Sequence, residues 1–287
     1  MEIKNLVTET RNPATTHIDT MSTLDMVKTI NAEDQKVAQA VALTEKQIAL
    51  AIDEAAKRYA QGGRLGVLDA AELVPTYGIK PERAVGLIAG GKGAMFSAVE
   101  GAEDSTVLGS TDLNKIKITA NDVVIGLAAS GRTPYVVGGL QYAKKKGALT
   151  IAIACVPNSV IGQAAEIAIE AVVGPEVVTG STRMKAGTAQ KMILNMISTG
   201  VMIKQGKVYQ NVMIDVQPTN AKLVDRACRI ISETTSVTTE EALAYLKQAD
   251  NKVDLAIIMA KTKKDKNAAG KLLTRYHGNV SRVLQGE

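Results

Sequence analysis

Tryptophan is absent from this chain of 287 residues, phenylalanine occurs once, at Phe96, and histidine and cysteine occur twice each. Each scarcity removes a class of chemistry. Without aromatic faces there is no platform on which bases could stack, and the basic residues are mixed with acids, so nucleic acid is not an expected partner. With only His17 and His277 as imidazoles, neither a histidine-based triad nor a histidine-rich metal site can be assembled, and acid-base work falls to carboxylates. Cys155 lies in an apolar run far from Cys228, which reads as two buried thiols rather than a disulfide or a metal site. No apolar stretch reaches the ~20 residues that span a bilayer, and Met1-Glu2-Ile3-Lys4-Asn5 lacks the apolar segment of a secretory signal. A cytoplasmic protein with no membrane partner is expected.

What is present is a core. Hydrophobic residues make up 46% of the chain, and its length holds one large domain with a smaller appendage. The net charge, 34 − 29 = +5, suits anionic ligands. The stretch from Asn31 to Ala60 has helical periodicity through Val37, Val41, Ile48, Ala51, Ile52 and Ala55, with a break near Thr44. Four short β-branched runs, Ala84 to Ala89, Asp122 to Ala128, Leu149 to Cys155 and Ile167 to Val173, read as buried parallel strands. Between them fall helices at Tyr135 to Lys146 and Ser159 to Ala165, and an apolar helix follows over Lys191 to Ile203. From Ala221 onward short helices take over, one of them starting at Thr238-Thr239-Glu240-Glu241. Strands alternating with helices predict a doubly wound α/β sheet whose ligands bind at loops after the strands.

Three loops sit where such ligands bind: Gly90 to Ala94, Ser130 to Pro134 and the run from Gly180 to Thr188. Gly180-Ser181-Thr182-Arg183-Met184-Lys185-Ala186-Gly187-Thr188 stacks hydroxyls, glycines and two cations before a helix; it reads as a phosphate loop or as an ordinary capped turn. Ser130-Gly131-Arg132-Thr133-Pro134 follows a strand and enters a helix at proline. Gly86-Leu87-Ile88-Ala89-Gly90-Gly91-Lys92-Gly93 nearly spells a nucleotide-binding loop, but Gly93 stands where Ser or Thr must hold magnesium. Asp69-Ala70-Ala71-Glu72 and Glu100-Gly101-Ala102-Glu103-Asp104 place carboxylates among small residues that leave room for a ligand, although most glutamates so placed are simply exposed. Lys261-Thr262-Lys263-Lys264-Asp265-Lys266 reads as a solvated face.

Taken together, the runs Gly180 to Lys191, Ala128 to Val136 and Ala98 to Asp104, with Gly66 to Glu72 and Asn211 to Val216, resemble the N-acetylmuramic acid 6-phosphate etherases from near Ile18 to the C-terminus. The resemblance implies a sugar isomerase (SIS) domain: a three-layer α/β/α sandwich around a parallel five-stranded sheet, working as a homodimer without metal or organic cofactor. It implies N-terminal helices over 1–54, the sugar-phosphate domain over 55–222 and a small helical domain over 223–287. The family's two catalytic glutamates fall on Glu72, the acid, and Glu103, the base. Ser130, Gly131, Arg132, Thr133, Ser181, Thr182, Arg183 and Lys185 are the expected substrate ligands, for a sugar phosphate. A sugar-phosphate isomerase on the same fold and a non-catalytic sensor resembling the glucokinase regulatory proteins are the alternatives.

One departure stands out. Between Leu65 and Gly66 the family has a strand and a Gly-Ala-Gly-Thr-Ser-Gly-Arg turn, roughly eleven residues without a counterpart here, whose loss would remove the first strand and a principal phosphate loop. Because losing a buried central strand is ruinous, the expectation is a break in the recorded chain at this point, with a Cα separation well beyond the ~3.8 Å of bonded neighbours. A chain truly lacking the segment is expected to have little or no etherase activity.

Overall fold

The computed structural model describes residues 6–66, 70–97 and 99–286. Three short 3-10 turns (Val7–Glu9, Pro13–Thr15 and Ile18–Thr20) lead into α1 (Thr23–Ala42) and α2 (Glu45–Ala60). Then follow β1 (Leu65–Gly66), α3 (Ala70–Tyr77), β2 (Ala84–Val85), α4 (Thr106–Lys115), β3 (Val123–Leu127), α5 (Pro134–Lys145), β4 (Leu149–Ala154), α6 (Val160–Ala164), β5 (Ile167–Glu170) and α7 (Lys185–Lys204). A two-stranded ladder, β6 (Val208–Tyr209) with β7 (Val212–Met213), precedes α8 (Ala221–Thr235), α9 (Thr239–Gln248), α10 (Val253–Thr262), α11 (Lys266–Arg275) and α12 (Val280–Gln285).

The chain forms two compact units that do not follow chain order: residues 1–68 with 85–198, and residues 69–84 with 199–287. The first holds a five-stranded sheet in the order β2-β1-β3-β4-β5. β1 pairs parallel with β3, β3 with β4 and β4 with β5, with Val123 to Leu127 of β3 in register with Leu149 to Ile153 of β4, and Ile151 to Ala154 with Ile167 to Glu170 of β5. β4 lies against α2, α5 and α6 and is buried along all six residues, which is why it reads as an unbroken apolar run. Thr44 ends the first long helix where its periodicity falters: its Oγ1 donates to the Val41 carbonyl at 2.8 Å, and α2 then buries Ile48, Ala51, Ala55, Ala56 and Tyr59.

Leu65 and Gly66, where the family's additional strand and turn have no counterpart, together form β1. The first strand is present but only two residues long, with Leu65 opposite Val123. So short a strand forms few ladder bonds, and side chains hold it instead. The Asp122 carboxylate accepts the Arg64 backbone N–H at 2.8 Å, Arg64 Nε at 3.0 Å and Nη2 at 2.6 Å, and also the Thr119 N–H at 2.6 Å. This fixes the residue before β1 to the residue before β3. Burial alone would raise the Asp122 pKa, but Arg64 and the two backbone donors outweigh it and bring it down to about 2. A carboxyl more acidic in the folded than in the unfolded chain stabilises the fold above its unfolded value of 3.8 and loses that contribution as pH falls toward about 2. We expect Asp122→Asn to lower stability near neutrality by about 2 kcal/mol and to flatten the acid limb of the unfolding curve, as followed by thermal melts between pH 2 and pH 7.

The strand expected over 84 to 89 is likewise short, ending at Val85, because residues 86–88 adopt no regular structure. The glycine-rich run beyond it enters a 3-10 turn over Lys92–Met95 and not an α-helix, which removes the helix N-terminus that a nucleotide loop requires.

The second unit gathers Ile214, Ile231, Leu246, Ala256, Ile257 and Ile258 into one core. Thr238 and Glu241 close the capping box that starts α9 by exchanging backbone N–H bonds.

Candidate active site

The Ser130 loop leaves β3 and must turn sharply to enter α5 at Pro134, and glycine is required at the turn for two reasons. Gly131 has φ +70°, and a Cβ added there would sit 2.5 Å from the Ser159 Cβ and 2.8 Å from Val156 Cγ2. Gly131 N–H donates to the Ala128 carbonyl at 2.9 Å, and its own carbonyl accepts the Ile161 N–H at 3.0 Å, tying the loop to α6. The loop therefore reaches the sheet's C-terminal edge as a rigid turn.

Glu103 arrives by another route. It sits in the turn over 101–104 before α4, its carbonyl accepting the Tyr135 N–H at 2.9 Å. α4 and α5 touch backbone to backbone: a Cβ on Gly109 would lie 2.0 Å from the Tyr135 carbonyl oxygen, and one on Gly138 would lie 1.9 Å from that of Thr106. Tyr135 Oη adds a bond to Asp112 at 3.0 Å. Glu103 and Thr133, at the starts of two helices in contact, are thus brought to one place. With Asp104, Ser130, Arg132 and Pro134 they line a cavity of about 240 Å³. Because neither helix can move aside without losing the contact, Gly138→Ala should destabilise the protein by about 1 to 3 kcal/mol, read as a lowered Tm.

The Ser181 loop differs from its expectation. A phosphate was to meet the free N–H groups at the start of α7, yet a carboxylate already occupies that place: Glu176, 1% exposed, accepts the N–H groups of Lys185 at 3.0 Å and Ala186 at 2.9 Å. Lys185 is also 1% exposed, and its Nζ donates to Glu33 Oε2 at 2.7 Å. Its charge is spent inside the protein, so the expectation of a lysine facing substrate is corrected. Ser181 and Thr182 are half-buried and Arg183 is exposed. Burial penalises charge on Glu33, but bonds from Lys185, Lys36 and Asn12 outweigh it and hold its pKa at about 2. Cys155 donates to the Ala186 carbonyl at 3.7 Å, and burial, with the Glu176 charge, pushes its thiol up to about 12. Both cysteines are buried and free.

Glu72 lies exposed on α3, in the other compact unit. The apolar neighbours Leu73 and Tyr77 are buried and fix the helix. The adjoining Asp69 falls outside the described residues. No group of three or more metal-ligating side chains occurs among the described residues, and no described helix is long and apolar enough to cross a membrane.

Glu33 and Glu176 escaped the sequence reading, although each left a trace. Glu33 shares the apolar face of Val37, Ala40 and Val41 at helical spacing, and Glu176 interrupts the run Val172 to Val178. An acid on an apolar face is a candidate buried partner.

A parallel sheet with polar loops gathered at its C-terminal edge is the plan of the SIS proteins. Family comparison agrees: residues 107–199 match the SIS domain, residues 60–144 the N-terminal SIS domain of glucokinase regulatory protein, and residues 210–269 that protein's C-terminal lid domain. The chain is 70% identical to an N-acetylmuramic acid 6-phosphate etherase of Lactobacillus gasseri, 68% to that of Lactobacillus acidophilus and 54% to etherase 1 of Enterococcus faecalis. These matches cover 99% of this chain and 98% or more of each relative. It belongs to the N-acetylmuramic acid 6-phosphate etherase family. The alignments run over 295 or 296 positions against 287 residues, so at least 295 − 287 = 8 positions of the relatives have no counterpart here.

Proposed function

We propose that this protein cleaves the D-lactyl ether of N-acetylmuramic acid 6-phosphate, giving N-acetylglucosamine 6-phosphate and D-lactate, in the reuse of cell-wall amino sugars. The observation that carries the reading is whole-length identity to etherases, up to 70% among the relatives given above. The cavity lined by Glu103, Ser130, Arg132 and Thr133 supports it.

An unactivated ether resists hydrolysis near neutrality. Opening the sugar ring leaves an aldehyde that acidifies the hydrogen on C2, and the route becomes elimination. Glu103 accepts the C2 proton, the C3–O bond breaks, and Glu72 donates a proton to the departing lactate oxygen. Water then adds to the C2–C3 double bond, its oxygen to C3 and a proton to C2. Each proton transfer is worth about 10² to 10⁴ in rate. Ser130, Gly131, Arg132 and Thr133 hold the substrate with Ser181, Thr182 and Arg183, hydroxyls and guanidinium groups suiting phosphate and sugar oxygens.

We also propose a homodimer, for which exposed apolar side chains speak: Phe96 is 90% exposed, Val107 68% and Val99 48%. Sedimentation should give twice the chain mass.

Incubation with N-acetylmuramic acid 6-phosphate should release one lactate per sugar, without ketose formation from glucosamine 6-phosphate. Ketose without lactate would point to the isomerase. Binding without either product would point to a sensor.

A further inference from the structure

We infer that Glu33 is a positioning residue for the loop over 180–184, acting through the buried ammonium of Lys185, and that the N-terminal segment from Asn12 to Glu33 is the strap that holds this loop in its binding form. This rests on the reading above that the loop contacts substrate.

Both ends of the loop are tied, and the N-terminal segment ties both. At the leading end, Asn12 Nδ2 donates to the Pro175 carbonyl at 3.3 Å and Thr15 Oγ1 donates to the Val177 carbonyl at 2.8 Å. Between those two carbonyls sits Glu176, whose carboxylate caps α7. At the trailing end Lys185 is pinned twice: its backbone N–H by Glu176, and its Nζ by Glu33, which stands on α1, 152 residues away in the chain. Lys36 donates to the same Glu33 carboxylate from one turn further along α1. These side-chain bonds frame residues 178–184, the stretch that presents Ser181, Thr182 and Arg183.

Stability does not explain the choice of charges. A buried lysine and glutamate, 1% and 5% exposed, cost desolvation that an apolar pair of similar size avoids, and such pairs are often replaceable without loss of stability. What an apolar pair cannot supply is direction. An ammonium held at 2.7 Å by one carboxylate oxygen fixes the side chain's reach and so the rotation of the first turn of α7 about its axis. The strap thereby sets where the preceding hydroxyls point. None of these anchoring groups needs to touch the substrate.

The test compares Glu33→Gln, Glu33→Asp and the double variant Glu33→Gln/Lys185→Met with the parent, reading the Kd for N-acetylmuramic acid 6-phosphate, the KM and kcat, and amide hydrogen exchange. The double variant leaves no unpaired buried charge and serves if Glu33→Gln fails to fold. In Glu33→Gln, or in the double variant if that alone folds, Kd and KM should rise about tenfold or more with kcat within a few-fold, and the amides of 181–184 should exchange about tenfold faster while those of β4 keep their rates. Glu33→Asp, which retains the charge, should recover part of the affinity. A folded variant with unchanged Kd and unchanged exchange would overturn the proposal, as would faster exchange with unchanged Kd. Thr182→Val separates the two levels: if it too leaves Kd unaltered, the substrate loop itself has been misassigned, whereas a raised Kd there beside an unaltered Glu33→Gln isolates the failure to the strap.

Discussion

Replacing Glu103 by glutamine should lower lactate release by about 10² to 10⁴ and stop exchange of the C2 hydrogen with solvent, because a carboxamide of nearly the same shape cannot accept the proton. The fold should be intact, since Glu103 is exposed and the bond that holds its turn, from the Tyr135 N–H, is made by its backbone carbonyl. Glu72→Gln should behave differently. Lactate release should fall by a similar factor while C2 exchange continues, since proton removal does not require the acid. Single-turnover measurements in deuterated water, followed by proton resonance of the sugar and an enzymatic lactate assay, separate the two steps. Near-normal lactate release by both variants would reject the assignment of both residues, and loss of exchange in Glu72→Gln would exchange their roles.

The second large effect concerns what the chain lacks. Inserting the family's strand and Gly-Ala-Gly-Thr-Ser-Gly-Arg turn between Leu65 and Gly66 should raise kcat/KM by about 10³. Hydrogen bonds to a charged partner contribute about 1.5 to 3 kcal/mol each, so two added donors to the phosphate account for a change of that size. Binding energy on the phosphate is remote from C2 and C3, yet it fixes their position relative to the two glutamates. The parent chain, with β1 reduced to two residues, is expected to show a high KM and slow turnover. A folded insertion variant with unchanged kcat/KM and unchanged substrate Kd would show that the remaining loops already carry the phosphate.

The parts of the fold that were legible in the sequence are those decided locally. The interruption at Thr44 was visible because a polar residue breaks the apolar period there, and the α9 start because Thr238 and Glu241 satisfy each other without outside help. β4 was visible because burial on both faces demands an unbroken apolar run. Strand length at β1 and β2 was not, since pairing with neighbours, and not composition, decides where a strand ends. Residues 69–84 join the C-terminal unit although nothing in their composition names that partner.

The site was legible to the same degree. The turn from Ser130 to Pro134 carries its own local signs, glycine at a left-handed turn and proline at a helix start, whereas nothing local sets Glu103 apart from an ordinary exposed glutamate. Lys185 does not. A lysine after Ser-Thr-Arg looks like a ligand until Glu33, from the other end of the domain, is seen to hold it. A buried polar partner so distant in the chain leaves only a faint mark on a helical wheel.

The most direct test of the account is the fate of solvent atoms during turnover of N-acetylmuramic acid 6-phosphate by the intact protein in deuterated, oxygen-18-enriched water. Elimination followed by addition predicts N-acetylglucosamine 6-phosphate with deuterium at C2 and the heavy oxygen on C3, beside lactate carrying no heavy oxygen at its hydroxyl. Heavy oxygen on the lactate hydroxyl, with hydrogen retained at C2, would contradict it.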